Sequence, residues 1–144
     1  MVFPELGTWG AGFLAANTVA LWGWLILLFA PRTPRWIVFP KYGFPVAVSA
    51  AYIVAVALTL PTLDPTASYL SLGGIRALAA NDGFLVAGWM HVVAFDLFIG
   101  AWAAERMDTA GFNRWVQGPI LLTIFMAGPL GFLIAFAVTS RIRS

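Results

Sequence analysis

The charged residues of this chain are gathered into short clusters separated by long gaps, and the gaps decide what it can fold into. No charged side chain stands between Glu5 and Arg32, between Lys41 and Asp64, or between Arg114 and Arg141. Each gap holds a helix of about 20 apolar residues, enough to cross about 30 Å of hydrocarbon. A fourth stretch, from Asp82 to Glu105, is interrupted only by His91 and Asp96. Spans are therefore expected at about residues 8–29, 42–60, 84–104 and 119–139. The fold class is all-α integral membrane: four transmembrane helices bundled into a single domain over residues 1–144.

Composition agrees, since 61% of residues are hydrophobic and 10% charged, where a soluble domain carries about a quarter charged. The net charge of +2 comes from eight scattered Lys and Arg, with no dense basic stripe to neutralise phosphates, so nucleic acid is not an expected partner. The chain has no cysteine, which excludes disulfides, thiolate metal ligands and a cysteine nucleophile. Met1 to Glu5 carries no basic residue before the first apolar run. That run is too long for a cleaved signal peptide, so the first span is expected to stay in the membrane.

Between the spans the chain reads as short loops. Ala30 to Arg35 contains two prolines and two arginines, which end a helix at a charged surface. Ala47, Ala51 and Ala55 form a small-residue stripe on the second span, of the kind that lets a neighbouring helix, or a second copy of the chain, approach closely. In the segment from Pro61 to Asn81, Leu72, Ile75, Leu78 and Ala79 recur at helical spacing around Arg76, which predicts a short interfacial helix before the third span. Asn81 or Asp82 then caps that span, and Glu105, Arg106, Asp108 and Arg114 mark a polar loop after it. Gly128-Pro129 predicts a kink midway along the fourth span. With the Arg32 and Glu105 loops on one side, five basic residues (Arg32, Arg35, Lys41, Arg106, Arg114) oppose three (Arg76, Arg141, Arg143), which sets the first side in the cytoplasm. Trp9, Trp36 and Trp115 near span ends fit an aromatic belt.

His91 and Asp96 are the ionisable residues inside a span. A charge there costs on the order of 3 kcal/mol on insertion scales, so such groups turn toward the bundle interior. Burial disfavours the charged form of each, making Asp96 a candidate proton donor and His91 a candidate base. Five residues of helix separate the two side chains by about 140° around the axis, too far for a direct hydrogen bond. They can meet different parts of one elongated ligand, or each can bond a neighbour such as Asn17, Ser49, Tyr52 or Thr123 and simply hold the bundle together. A metal centre is not expected, because one histidine and scattered carboxylates do not supply three or four converging ligands.

Gly88-Trp89-Met90-His91 followed by Ala94-Phe95-Asp96-Leu97-Phe98 resembles the central helix of the abscisic-acid-deficient membrane family, whose plant members are neoxanthin synthases. Gly74-Ile75, Asp82 and Gly128-Pro129-Leu130-Gly131 fall in the order that family shows. The resemblance implies a membrane-embedded protein that modifies a carotenoid or related polyisoprenoid, for which the family reaction is isomerisation of an epoxy-xanthophyll to an allene without a redox cofactor. By that analogy Asp96 or Asp82 is the acid and His91 the base. The polyene then lies among Trp89, Phe95, Phe98 and Trp102, with Asn17 of the first span and the Gly128-Pro129 break nearby. No transit-peptide-like leader is visible, so a prokaryotic protein of a bacterial inner membrane, or of a photosynthetic membrane, is expected.

Three functions remain open on these grounds. One is a carotenoid-modifying isomerase, a second a non-catalytic pigment-binding or scaffold subunit of a larger membrane complex. The third, a proton or ion transporter, lacks the inverted repeat such proteins are built from. Membrane lipids and a carotenoid-like small molecule are the expected partners, with self-association or a membrane complex beside them.

Overall fold

The computed structural model describes residues 7–140, and these are helical with short connections. The elements are α1 (Thr8–Phe29), α2 (Pro34–Val38), a π-helical segment (Phe39–Gly43), α3 (Phe44–Thr59), a 3-10 turn (Leu60–Thr62), α4 (Leu72–Ala79), α5 (Asp82–Thr109), α6 (Arg114–Met126) and α7 (Gly128–Ser140). Three rods are long and apolar enough to cross a membrane: α1, the continuous helix Pro34–Thr62, and α5. The expectations for Met1 to Glu5, Arg141 and Arg143 lie outside the described residues.

Two spans are longer than the charge pattern implied. The second starts at Pro34 rather than Tyr42, because Pro34 takes the first helical position, where a missing N–H costs nothing. Arg35 and Lys41 therefore ride on the rod instead of forming a loop. The third continues to Thr109, so Glu105, Arg106 and Asp108 occupy its last turns rather than a loop. Its other end is capped by Asn81, whose side chain accepts the Phe84 N–H, which leaves Asp82 in the first turn as an exposed acid favoured by the helix dipole. The predicted short helix is α4, capped by Ser71 through the Gly74 N–H at 2.9 Å.

The central rod is α5, which touches α1, α3, α4, α6 and α7. Toward α3, Val48 and Ala55 meet Ala87, Met90 and Ala94. Of the predicted alanine stripe only Ala55 is buried there, while Ala47 and Ala51 face outward. Toward α1 and α6, Trp24, Leu27, Leu97, Ala101, Met107, Leu121 and Ile124 form the main core.

The fourth span is not a span. Helices α6 and α7 have 13 residues each, about 20 Å at 1.5 Å per residue and short of the hydrocarbon thickness. They are separated at Ala127, whose φ of −150° and ψ of 72° leave the helical region, and they run antiparallel. The start of α6 lies at the C-terminal end of α1, where Arg114 donates to the carbonyls of Leu27, Leu28 and Ala30. The end of α7 returns to that same level, where Thr139 Oγ1 accepts from Arg106 Nε at 2.7 Å. Between these points the register follows α5: Phe132 meets Trp102, with ring centroids 5.4 Å apart, and the tip at Gly128 meets Asp96. Asp96 is at mid-length of α5, so the hairpin reaches half depth and comes back. Gly131 lets the two helices touch, since a Cβ there would overlap the Ile124 backbone. Pro129 is accordingly in the first turn of a new helix, not at a kink inside an old one.

This hairpin replaces the single fourth helix of the expected bundle with two short ones. Arg32, Arg35, Lys41, Arg106 and Arg114 gather at the end where α1 and α5 finish, tied by a Lys41–Glu105 ion pair of 2.7 Å. Arg76 on α4 belongs to the opposite end, and α7 finishes at the basic end rather than the far one.

Candidate functional site

Asp96 stands where the hairpin tip meets the middle of α5. Its helix presents it toward α1 and α7, and Gly128 admits it, because a Cβ at that position would overlap its carboxylate. Two helix ends converge beside it. The C-terminus of α6 leaves carbonyls without helical partners, and the N-terminus of α7 carries the positive end of a helix dipole. At the break Ala127 N–H bonds Thr123 O at 2.7 Å and Gly131 N–H bonds Ala127 O at 3.1 Å.

Asp96 opens on a cleft of about 390 Å³ between α1, α5 and the hairpin. Asn17, Trp24, Trp89, Val92, Phe125 and Met126 are among its walls, and Asp96 is the one titratable side chain that lines it. Asn17 is the other strongly polar group. Its amide nitrogen donates to Phe13 O at 2.8 Å, and its oxygen accepts from Trp89 Nε1 at 3.1 Å. Trp24 crosses the floor, packed edge-on against Phe125 at 5.4 Å.

The residues expected to share one site divide among four places. Asp96, Asn17, Trp89 and Gly128 meet at the cleft, with Pro129 exposed next to Gly128 at the tip. His91 turns the other way, toward α3, where its ring lies 6.0 Å from Tyr52 and 4.7 Å from Phe95. Phe95 and Phe98 line a separate groove with Tyr42, Ser49 and Ile53. Trp102 packs on Phe132 and beneath the Arg106 guanidinium, 5.4 Å from its ring. Asp82 lies at the start of α5, about 20 Å of helix rise from Asp96. Asp96 and His91 are thus not a pair, and the angular offset of 140° reappears as two different neighbours.

The residues that the sequence did not disclose are at the base of the hairpin. Arg114 ties α6 to the last carbonyls of α1, and Gln117 donates to Asp108 at 2.6 Å while accepting from Arg32 at 3.2 Å. Burial, and then the neighbouring Arg114, push the Arg32 guanidinium down to about 10 against the opposing pull of Asp108 and Glu105. Gln117 was legible only as one polar residue in an apolar run. No group of three or more His, Cys, Asp or Glu gathers to hold a metal among the described residues.

Three helices of membrane-crossing length, a half-depth hairpin and a lone carboxylate at its tip define a small all-helical protein organised around one lateral cleft. No curated protein and no solved structure matches the chain. The family model for ABA4-like proteins, described as ABA DEFICIENT 4-like, matches residues 11–134, and the chain belongs to that family.

Proposed function

We propose that this protein crosses a membrane three times, through α1, the Pro34–Thr62 rod and α5, with α6 and α7 dipping in from the basic, cytoplasmic end. In that setting it acts on a carotenoid-like polyisoprenoid by acid chemistry at Asp96. The observation that carries this reading is the Asp96 carboxyl at the hairpin tip, facing a cleft that is apolar apart from Asn17.

The family reaction asks little beyond such a group. A protonated carboxyl gives its proton to an epoxide oxygen and the carbon–oxygen bond breaks. A proton then leaves the adjacent polyene carbon, closing a cumulated double bond, so the product is an isomer of the substrate. Because His91 faces α3, the carboxylate left by the first transfer is the base best placed for the second. A water-poor cleft protects the cationic intermediate from capture.

The test is expression in a host that makes epoxy-xanthophylls, followed by pigment extraction and mass spectrometry. Wild type converts a host carotenoid to an isomer of equal mass, and Asp96→Asn does not. If both variants copurify with unaltered pigment or with a stoichiometric membrane complex, the pigment-binding or scaffold reading replaces the enzyme. The broad outward apolar surface, with Leu70 96% and Trp115 90% exposed, supports lipid contact under either reading.

A further inference from the structure

A second space adjoins the Asp96 cleft at Trp89. Beyond that indole a groove of about 510 Å³ passes beneath α4, walled by Phe13 of α1, Tyr69, Ile75 and Leu78, with Gly88 of α5 along it. Trp89 and Val92 line both spaces, so the two adjoin in an interrupted channel along α5, with the Trp89 indole between them. Its course from Phe84 to Asp96 follows about 18 Å of helix rise. Hydrogen-bonding side chains cluster at the inner end, where Asn17 and Asp96 stand.

Gly88 has no explanation within the chain. Of the other glycines in α5, a Cβ at Gly83 would lie 2.5 Å from Thr59 Oγ1 and one at Gly100 would lie 2.6 Å from Trp24. Those two are glycine because a neighbour needs the room. A Cβ at Gly88 meets nothing within 4 Å, and its φ is not positive. Glycine inside a helix is less stable than alanine, yet here neither packing nor conformation requires it. The space it leaves belongs to the channel.

We infer that this channel is the binding site for the body of a long, flat, apolar molecule lying along α5, with one oxygen-bearing end at Asp96 and the rest passing over Gly88 to leave beneath α4. The inference rests on the proposed role of Asp96 and adds where the remainder of the substrate lies and what limits its thickness. A flat conjugated chain suits it better than a saturated acyl chain. Phe13 and Trp89, packed on one another 5.7 Å apart and tilted 38°, form one aromatic wall of the groove, and the missing Cβ at Gly88 leaves the groove open at that turn of α5. Phe125 and Met126 of the hairpin line the inner end.

The experiment uses the full chain in nanodiscs with all-trans-retinol as probe, read by quenching of tryptophan fluorescence, and a competition with oleate. Gly88→Leu projects into the groove from a position where an added Cβ meets no protein atom within 4 Å; it is expected to keep a Tm close to wild type and weaken retinol binding by about tenfold or more. Ile75→Trp, which narrows the channel from α4, gives the same loss by an independent route. Gly88→Ala raises Tm and weakens retinol binding by less than Gly88→Leu does, in keeping with its smaller side chain. Retinol affinity unchanged in both Gly88→Leu and Ile75→Trp, no binding to wild type, or equal displacement by oleate overturns the proposal. The two readings separate cleanly. If Gly88→Leu binds normally while Asp96→Asn abolishes conversion, the channel falls and the acid stands. If Gly88→Leu blocks binding but wild type converts nothing, the channel stands and the acid falls.

Discussion

The two sides of α5 bury similar helices by different means. Toward α3 the contact is a match of shapes, with Val48 and Ala55 against Ala87, Met90 and Ala94, and the one ionisable group there, His91, sits at the exposed margin beside Tyr52 and Phe95. Toward α1 and the hairpin the contact encloses a carboxylate, admits no side chain at Gly128, and is pinned at its base by Arg106 and Arg114. The difference teaches that a polar residue inside an apolar span is not one kind of thing. His91 is accommodated by its surroundings, whereas the backbone around Asp96 is arranged for it.

The sharpest way to break this contrast is to remove the room at the tip. Gly128→Leu drives a side chain into Asp96 and should cost on the order of 3 kcal/mol, read as a fall in Tm in detergent together with loss of conversion. In an Asp96→Ala background the same change should cost markedly less, and a double-mutant cycle measures that coupling. Next in size is Arg114→Met. It strips the donors from three carbonyls at the end of α1 and should destabilise by about 2 kcal/mol, by the usual worth of charged hydrogen bonds. Arg32→Met sharpens the point. Its Nε and Nη1 are buried without a partner beside another arginine, so an apolar replacement should raise stability by about 1 kcal/mol. Asp96→Asn keeps the shape of the tip and should leave Tm nearly unchanged, while turnover drops by about 100-fold or more. Smallest of all, His91→Leu on the other face should shift stability by less than about 0.5 kcal/mol and leave turnover near wild type. A large loss on His91→Leu would erase the distinction between the two faces.

Much of the helix content was legible because charge gaps and caps are local signals. Asn81 caps the helix it precedes, and the apolar runs give the three long rods. The hairpin was not, because hydropathy counts apolar residues without recording their direction. Some 27 residues from Arg114 to Ser140 satisfy the pattern of one crossing as well as that of two half-crossings. What distinguishes them is Gly128-Pro129 followed by Gly131, a close-approach signal that reads as a kink when partners are unknown. The site was partly legible for the same reason. Asp96 stands out as a charge in a span, and its separation from His91 follows from helix geometry, but the pairing of Asp96 with Gly128, 32 positions later, depends on the hairpin and could not precede it. Arg35, Lys41 and Glu105 were assigned to loops because charge was taken to end a helix, whereas long side chains at a rod's end can reach the surface without unwinding it.

The returning hairpin also bears on how such a protein can change over generations. A segment that traverses a membrane cannot be gained or deleted without turning over every part of the chain that follows it. One that enters and leaves by the same face preserves that parity. The element that brings a backbone tip to Asp96 is therefore one the chain can lengthen, shorten or exchange while its own end, at Ser140, stays at the level where α5 finishes.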